Sequence, residues 1–436
     1  MKKFYLPALF AFLGAGCNNL EDAELTKRET FVRFYEGANS FVAAEAHQTA
    51  DGGYIVAGTI RVEGDKPLSK IVVIKTDALG QKIDERIIDG GIASSLLVSG
   101  DNITIVGDSV AYNPNSDELA DLVNSSARII QLRLSDLADI ADHSYKRELV
   151  VVESEDETRT IHFDYHATGI TEANGNFITL GTVKRPGSQE KAVVTSFNLA
   201  SMDTAWTKEY DYINRDYVNT RSLFYRNGKI IWGASITESI NAFSRSYIAI
   251  PVIQENSSFT NSNYFGQTGD QLFLTIQDLT PSSGGYAATG TYSSSDGTKG
   301  NMFFIQVDGA GNFLEGTEQY FDSGTPGMIT DQNVSVIQDS GEALAQTSDG
   351  GFILAGAATN PVYGGNDIWL VKIDAAGNFQ WTKTLGGRSS EKVSSIKVAG
   401  DGGFIICGTL TDGSSEIGGL SSIFLIRTDS NGELKD

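Results

Sequence analysis

One nine-residue segment recurs seven times along the chain, and no other feature narrows the fold as far. Its clearest copies are Asp51-Gly52-Gly53-Tyr54-Ile55-Val56-Ala57-Gly58-Thr59, Asp349 to Ala357 and Asp401 to Thr409, with weaker copies at Gly100 to Asp108, Asn174 to Thr182, Asn227 to Ala234 and Ser283 to Thr291. The closing glycines, 58, 107, 181, 233, 290, 356 and 408, fall at a mean spacing of about 58 residues. A fixed period of this length means that each unit is one supersecondary element and that neighbouring units bury each other's apolar faces.

Each copy is followed by a second apolar run, such as Ile71 to Ile74, Met302 to Val307, Ile368 to Ile373 and Ile423 to Ile426. These runs are short and rich in Val, Ile and aromatics, and several lack strict alternation, as strands covered on both faces do. Several end in Asp-x-x-Gly, at Asp77 to Gly80, Asp308 to Gly311, Asp374 to Gly377 and Asp429 to Gly432. Aspartate closes an Asx turn and glycine supplies positive φ, so these read as hairpin turns. They lack the further spaced oxygens and terminal glutamate of an EF-hand calcium loop. A more polar strand comes next, as in Gln380-Trp381-Thr382-Lys383 and Ala205-Trp206-Thr207-Lys208. Four antiparallel strands per unit, the last partly solvated, describe a propeller blade. The sequence therefore predicts an all-β, seven-bladed β-propeller over residues 28–436.

The seventh unit lacks its fourth strand. Phe31-Val32-Arg33-Phe34-Tyr35-Glu36-Gly37 aligns with Trp381 to Gly387, and each segment's last glycine lies the same distance before the next signature aspartate, Gly37 before Asp51 and Gly387 before Asp401. The N-terminal strand is expected to complete the last blade and close the ring.

Residues 1–16 read as a secretory leader: Lys2 and Lys3, an apolar stretch from Phe4 to Leu13, then Gly14-Ala15-Gly16. The apolar stretch is shorter than the roughly 20 residues a spanning helix needs. Leu13-Gly14-Ala15-Gly16-Cys17 resembles the lipobox of bacterial lipoproteins, with Gly14 where an apolar residue is usual. That resemblance implies lipid attachment at Cys17, with residues 17–27 as a short tether; an ordinary leader with a chance cysteine is the alternative. Cys407, the one other cysteine, reads as a small core residue because related segments carry Ala57 and Ala355. Removing the leader with its two lysines takes the formal charge from −22 to −24, a surface that repels nucleic acid.

The chain resembles a family of surface lipoproteins of the Bacteroidetes lineage whose propellers repeat Asp-Gly-Gly-aromatic-Ile-x-x-Gly. The resemblance covers roughly residues 28–436, is close at 47–59, 346–387 and 395–434, and is degenerate in the middle three blades. It implies an accessory component of an outer-membrane assembly, such as a transporter of the starch-utilisation type, lipid-anchored and facing the cell surface or the periplasm. It also implies an outer-membrane protein partner, a glycan or peptide as a candidate ligand, and no cofactor. A repeat signature is specific for fold and nearly silent on ligand.

His162, Asp164 and His166 alternate along Ile161 to His166, so all three point to one face of a strand, a spacing compatible with metal ligation. A solvated polar strand start is the preferred reading, and no metal site is assigned. Two insertions between second and third strands are candidate recognition loops. Val110 to Ser126 contains Tyr112 and a helix expected over Asp117 to Val123 capped by Ser116, and Asn360 to Asp367 carries Tyr363. Exposed tyrosines stack on sugars or anchor protein contacts, or else fold over the blade edge. Glycoside hydrolysis needs two positioned carboxylates, and none of the 55 acidic residues stands out. Nothing resembles a nucleophile elbow or a phosphate loop. A non-catalytic binding or scaffold subunit is therefore expected, with a surface enzyme acting on glycan or peptide as the alternative.

Overall fold

The computed structural model describes residues 30–435, apart from segments 63–67, 113–121, 155–156, 186, 212–216, 241–242, 256–263, 267–271, 295–299, 330–337, 360–364 and 413–418. Every named element among the described residues is a strand, and the strands form seven antiparallel sheets. Each sheet is one blade of the ring. Blade 1 is the simplest case, with Ser40–Gln48, Tyr54–Val62, Leu68–Thr76 and Lys82–Asp89 paired in order from the axis outward. Its second strand is buried over the first seven residues, whereas its fourth is mostly solvated. Blades 2 and 6 have the same four-strand plan, and blades 3, 4 and 5 have five strands. In blade 3 the added strand, Arg147–Ser154, pairs with the first half of an unusually long inner strand, Glu157–Ala173.

The seventh blade is built from both ends of the described chain. Phe31–Tyr35 pairs antiparallel with Ser421–Arg427, Phe31 opposite Arg427 and Tyr35 opposite Ile423. The closing strand also reaches into blade 1. Phe31 meets the edge of Tyr54 at 5.6 Å between ring centres, and the Tyr35 hydroxyl donates to the Gly80 carbonyl at 2.9 Å. Phe31 and Tyr35 are buried while Phe34 is half exposed, the alternation a strand with one covered face requires. Each of the two buried rings contributes roughly 1.5–3 kcal/mol through the area it removes from water.

The core lies in the interfaces between blades rather than inside any one sheet. One cluster joins Phe41, Val56, Val72 and Ile74 of blade 1 to Phe31, Cys407, Ile423 and Leu425 of blade 7. Cys407 is fully buried there, as its alignment with Ala57 and Ala355 predicts. The Asp-x-x-Gly segments are hairpin turns: Asp77 Oδ1 accepts from the amides of Leu79 at 2.9 Å and Gln81 at 2.8 Å, and Asp374 repeats the pattern with Ala376 and Asn378.

The insertion at Val110 to Ser126 is built differently from expectation. The second strand of blade 2 continues through Tyr112, and the third begins at Leu122, with Tyr112 opposite Leu122 and Ala111 opposite Val123. Leu122 and Val123 are therefore strand residues, not the end of a helix capped by Ser116. The reason is the ladder itself, since two long apolar strands lengthen their hairpin at one backbone hydrogen bond per residue. Residues 117–121, like Tyr363, Cys17 and the tether, lie outside the described residues.

Candidate functional site

All seven inner strands carry a β-bulge at the same level. The pairing with the second strand skips Ala44, Ser94, Thr168, Ser222, Gln277, Glu342 and Ser394, one residue per blade. The closing glycine of each signature stands opposite the residue just before the bulge: Gly58 opposite Ala43, Gly107 opposite Ala93, and so on to Gly408 opposite Val393. A bulge re-aims the strand locally, and here it drives a carbonyl into the space a side chain would need. A Cβ at Gly107 would stand 1.8 Å from the Ile92 oxygen, at Gly181 1.9 Å from that of His166, and at Gly356 1.8 Å from that of Ser340. This close approach is the physical content of the repeated glycine in six blades; at Gly233 the Arg221 oxygen would stand 3.4 Å away and the Ile276 side chain is nearer, at 2.7 Å.

The bulge also leaves amides that the ladder no longer satisfies, and the preceding blade accepts them. Thr409 Oγ1 takes the Ala43 amide at 2.9 Å, Thr59 Oγ1 the Ala93 amide at 3.0 Å, Asp108 Oδ1 the Ala167 amide at 3.1 Å and Ser235 Oγ the Ile276 amide at 2.9 Å. A second tier lies deeper. Glu45 Oε2 accepts the Leu96 amide at 3.0 Å and Asp278 Oδ2 the Leu344 amide at 3.0 Å, while the Ser222 hydroxyl accepts the Leu279 amide at 3.2 Å. Buried amides left unpaired would each cost about 1–3 kcal/mol, so these bonds staple blade to blade.

The seven bulge residues line one cavity of about 410 Å³ on the ring axis, to which all seven inner strands contribute. Its charged groups are Glu45, His47, Arg221, Asp278, Glu342 and Lys397. Glu45 Oε1 pairs with Lys397 Nζ and His47 Nε2, both at 2.9 Å. Burial alone would raise the Glu45 carboxyl, but Lys397 and His47 outweigh it and hold it below the usual carboxylate range. Burial raises Asp278, although it accepts from Ser222 Oγ at 2.6 Å, and also raises Glu342.

A second cavity, about 380 Å³, opens beside the channel where blades 2, 3 and 4 meet, and holds Asp108, Asp164, His166, Lys184, Glu190 and Asn219. His166 Nδ1 and Asp108 Oδ2 lie 2.8 Å apart. The hydrogen bond to Asp108 raises the His166 pKa against the opposing effect of burial, and Asp164 and Glu190 add to the rise. The same carboxylate thus fixes an imidazole with one oxygen and a backbone amide with the other.

The sequence singled out Asp164 and His166, and the structure brings both to this cavity. His162 lies on the same strand, opposite Glu148 of the added strand. No group of three His, Cys, Asp or Glu arranged to hold a metal ion occurs among the described residues. Sequence reasoning missed Asp108, which comes from the neighbouring blade, and the whole channel set. The available signal was an aspartate directly after a closing glycine, where Thr59, Thr182, Thr291 and Thr409 stand in other blades.

No family model and no curated protein matches this chain. Solved structures do. The β-propeller domain of the Trilobed protease from Pyrococcus furiosus aligns over 91% of this chain and 99% of its own, at 11% identity and a TM-score of 0.45. A quinohemoprotein alcohol dehydrogenase from Pseudomonas putida HK5 aligns over 91% of this chain and 77% of its own, at 10% identity and a TM-score of 0.41. The chain is a seven-bladed β-propeller. That statement rests on its own seven sheets and their ring of contacts.

Proposed function

We propose that this chain is a lipid-anchored outer-membrane or cell-surface protein that works by binding rather than catalysis, as an accessory subunit of a membrane assembly such as a nutrient transporter of the starch-utilisation type. The observation that carries the non-catalytic part is the use made of the axial carboxylates. Of the three acids on the axis, Glu45 and Asp278 each hold a backbone amide of the next blade, and Glu342 accepts the Ser340 hydroxyl. Their hydrogen-bonding capacity is taken up by the ring, and a reaction that changed their protonation would loosen it. The lipobox-like Leu13 to Cys17 supports the anchor. A tether of about ten residues reaches at most about 35 Å, which keeps one propeller face close to whatever is embedded in the membrane.

The test is gentle detergent extraction of a tagged full-length copy, followed by identification of what accompanies it. A membrane protein should co-purify and should be lost when 110–126 or 360–367 is trimmed. Recovery as a lone monomer that hydrolyses a glycan or a peptide would overturn the reading. Cys17→Ser should release the protein from membranes, and its retention after a high-salt wash would refute the anchor.

A further inference from the structure

Arg221 is anomalous among the channel's charged groups. The chain carries 55 acidic side chains against 33 basic ones, yet the Nε of this guanidinium is buried with no hydrogen-bond partner among the described residues. Lys397, by contrast, is paired with Glu45 at 2.9 Å. The acids near Arg221 are otherwise engaged. Asp278 binds Ser222 and two amides, and Glu342 takes the Ser340 hydroxyl at 3.0 Å, interacting with Arg221 only through space. A buried N–H left without an acceptor is costly unless something completes its hydrogen bond.

The guanidinium is a rigid planar fork that matches a carboxylate through two parallel N–H bonds. Around it Ser94, Thr168 and Ser394 of the bulge ring line the same space; Thr168 Oγ1 lies 2.8 Å from Thr220 Oγ1 and the Ser394 hydroxyl donates to the Ala43 carbonyl at 3.0 Å, which leaves oxygen lone pairs to accept from a hydroxylated ligand. At about 410 Å³ the cavity falls within the range of small-molecule sites. We propose that the axial channel binds a small hydroxylated carboxylate, of uronic-acid size or less, whose carboxylate pairs with Arg221 and whose hydroxyls meet the bulge ring. This inference does not draw on the membrane partner proposed above, so either can fail without the other.

The test is calorimetric titration of the full-length protein in detergent with glucuronate, glucose and inorganic phosphate. Glucuronate should bind, with glucose weaker by about tenfold or more, a difference of about 1.4 kcal/mol. Arg221→Gln should lose a similar factor, and Arg221→Lys should recover part of it. Glu342→Gln, which removes an acid that competes for Arg221 through space, should tighten glucuronate several-fold, and it serves if Arg221→Gln does not fold. Absence of glucuronate binding, equal binding of phosphate or glucose, or unchanged affinity in folded Arg221→Gln or Glu342→Gln would overturn the proposal.

Discussion

Blades 6 and 3 solve the same problem with different local chemistry. In blade 6 the inner strand turns into the second through Thr347 to Gly351. The Thr347 amide donates to the Gly351 carbonyl at 2.9 Å, Asp349 Oδ1 accepts the Gly351 amide at 2.9 Å, and Gly350 sits at φ +82°. The buried Lys372 ammonium reaches Asp349 Oδ2 at 2.9 Å. In blade 3 the turn is only Asn174-Gly175, both at positive φ, the two-residue hairpin suited to right-twisted strands. Beyond the turn the blades converge: both carry the bulge, and both place a glycine against a carbonyl, Gly356 against Ser340 and Gly181 against His166. The conspicuous part of the signature, Asp-Gly-Gly, is thus a replaceable turn, and the lone closing glycine is what the ring requires.

The largest test of that distinction is Gly356→Ala beside Gly181→Ala. Both should cost about 3 kcal/mol in denaturant titration, because in each a methyl group meets backbone rather than a movable side chain. If blade 3 tolerates the change while blade 6 does not, the bulge does not unify the blades. Next is Asp349→Ala, which removes an acceptor for the turn amide and a partner of buried Lys372. It should cost about 1–3 kcal/mol, with no counterpart loss available in blade 3. Asp108→Ala tests the blade 2–3 interface. It should lower stability by about 1–2 kcal/mol through the orphaned Ala167 amide and move the His166 titration, followed by NMR, down toward the ordinary imidazole range.

The smallest effect separates two interfaces by pH. Glu391 of blade 7 is 6% exposed, and burial together with neighbouring Asp367 of blade 6 pushes its carboxyl up to about 7. An acid whose folded-state value is raised binds more protons folded than unfolded, so stability falls as pH rises from about 4 to about 7. Buried Asp339, pushed up to about 6, acts in the same direction. His166 also stabilises below its unfolded value and loses that contribution as pH rises through the folded one. Glu391→Gln should therefore raise the melting temperature at pH 8 and flatten its decline between about pH 5 and 7, whereas Asp108→Asn should remove only the part due to His166.

The sequence carried the blade count and the ring closure, because a period of hydrophobic strands and a displaced fourth strand are written in residue type. The bulge ring was not legible. Ser94, Thr168, Ser222 and Ser394 carry hydroxyls but Ala44, Gln277 and Glu342 do not, since a bulge is a property of pairing rather than of the residue that is skipped. The site was half legible for a related reason. Asp164 and His166 lie two apart on one strand, whereas Asp108 and Arg221 reach their cavities from other blades, at separations no local pattern reports.

The strand that seals the seventh blade also sets a clock for folding. Phe31–Tyr35 is synthesised about 390 residues before the segment it pairs with, an interval of roughly 20–80 s at ordinary elongation rates of about 5–20 residues per second. Through that interval the aromatic strand has no strand to pair with, and the last blade offers an unsealed edge until the two meet. Arg33, whose side chain lies 5.4 Å from the Phe31 ring centre in the finished ring, places a charge inside the very segment that would otherwise invite another chain to pair with it. Closure is then a single late event of high contact order, and the slowest step of folding should track the health of this short strand rather than that of any complete blade.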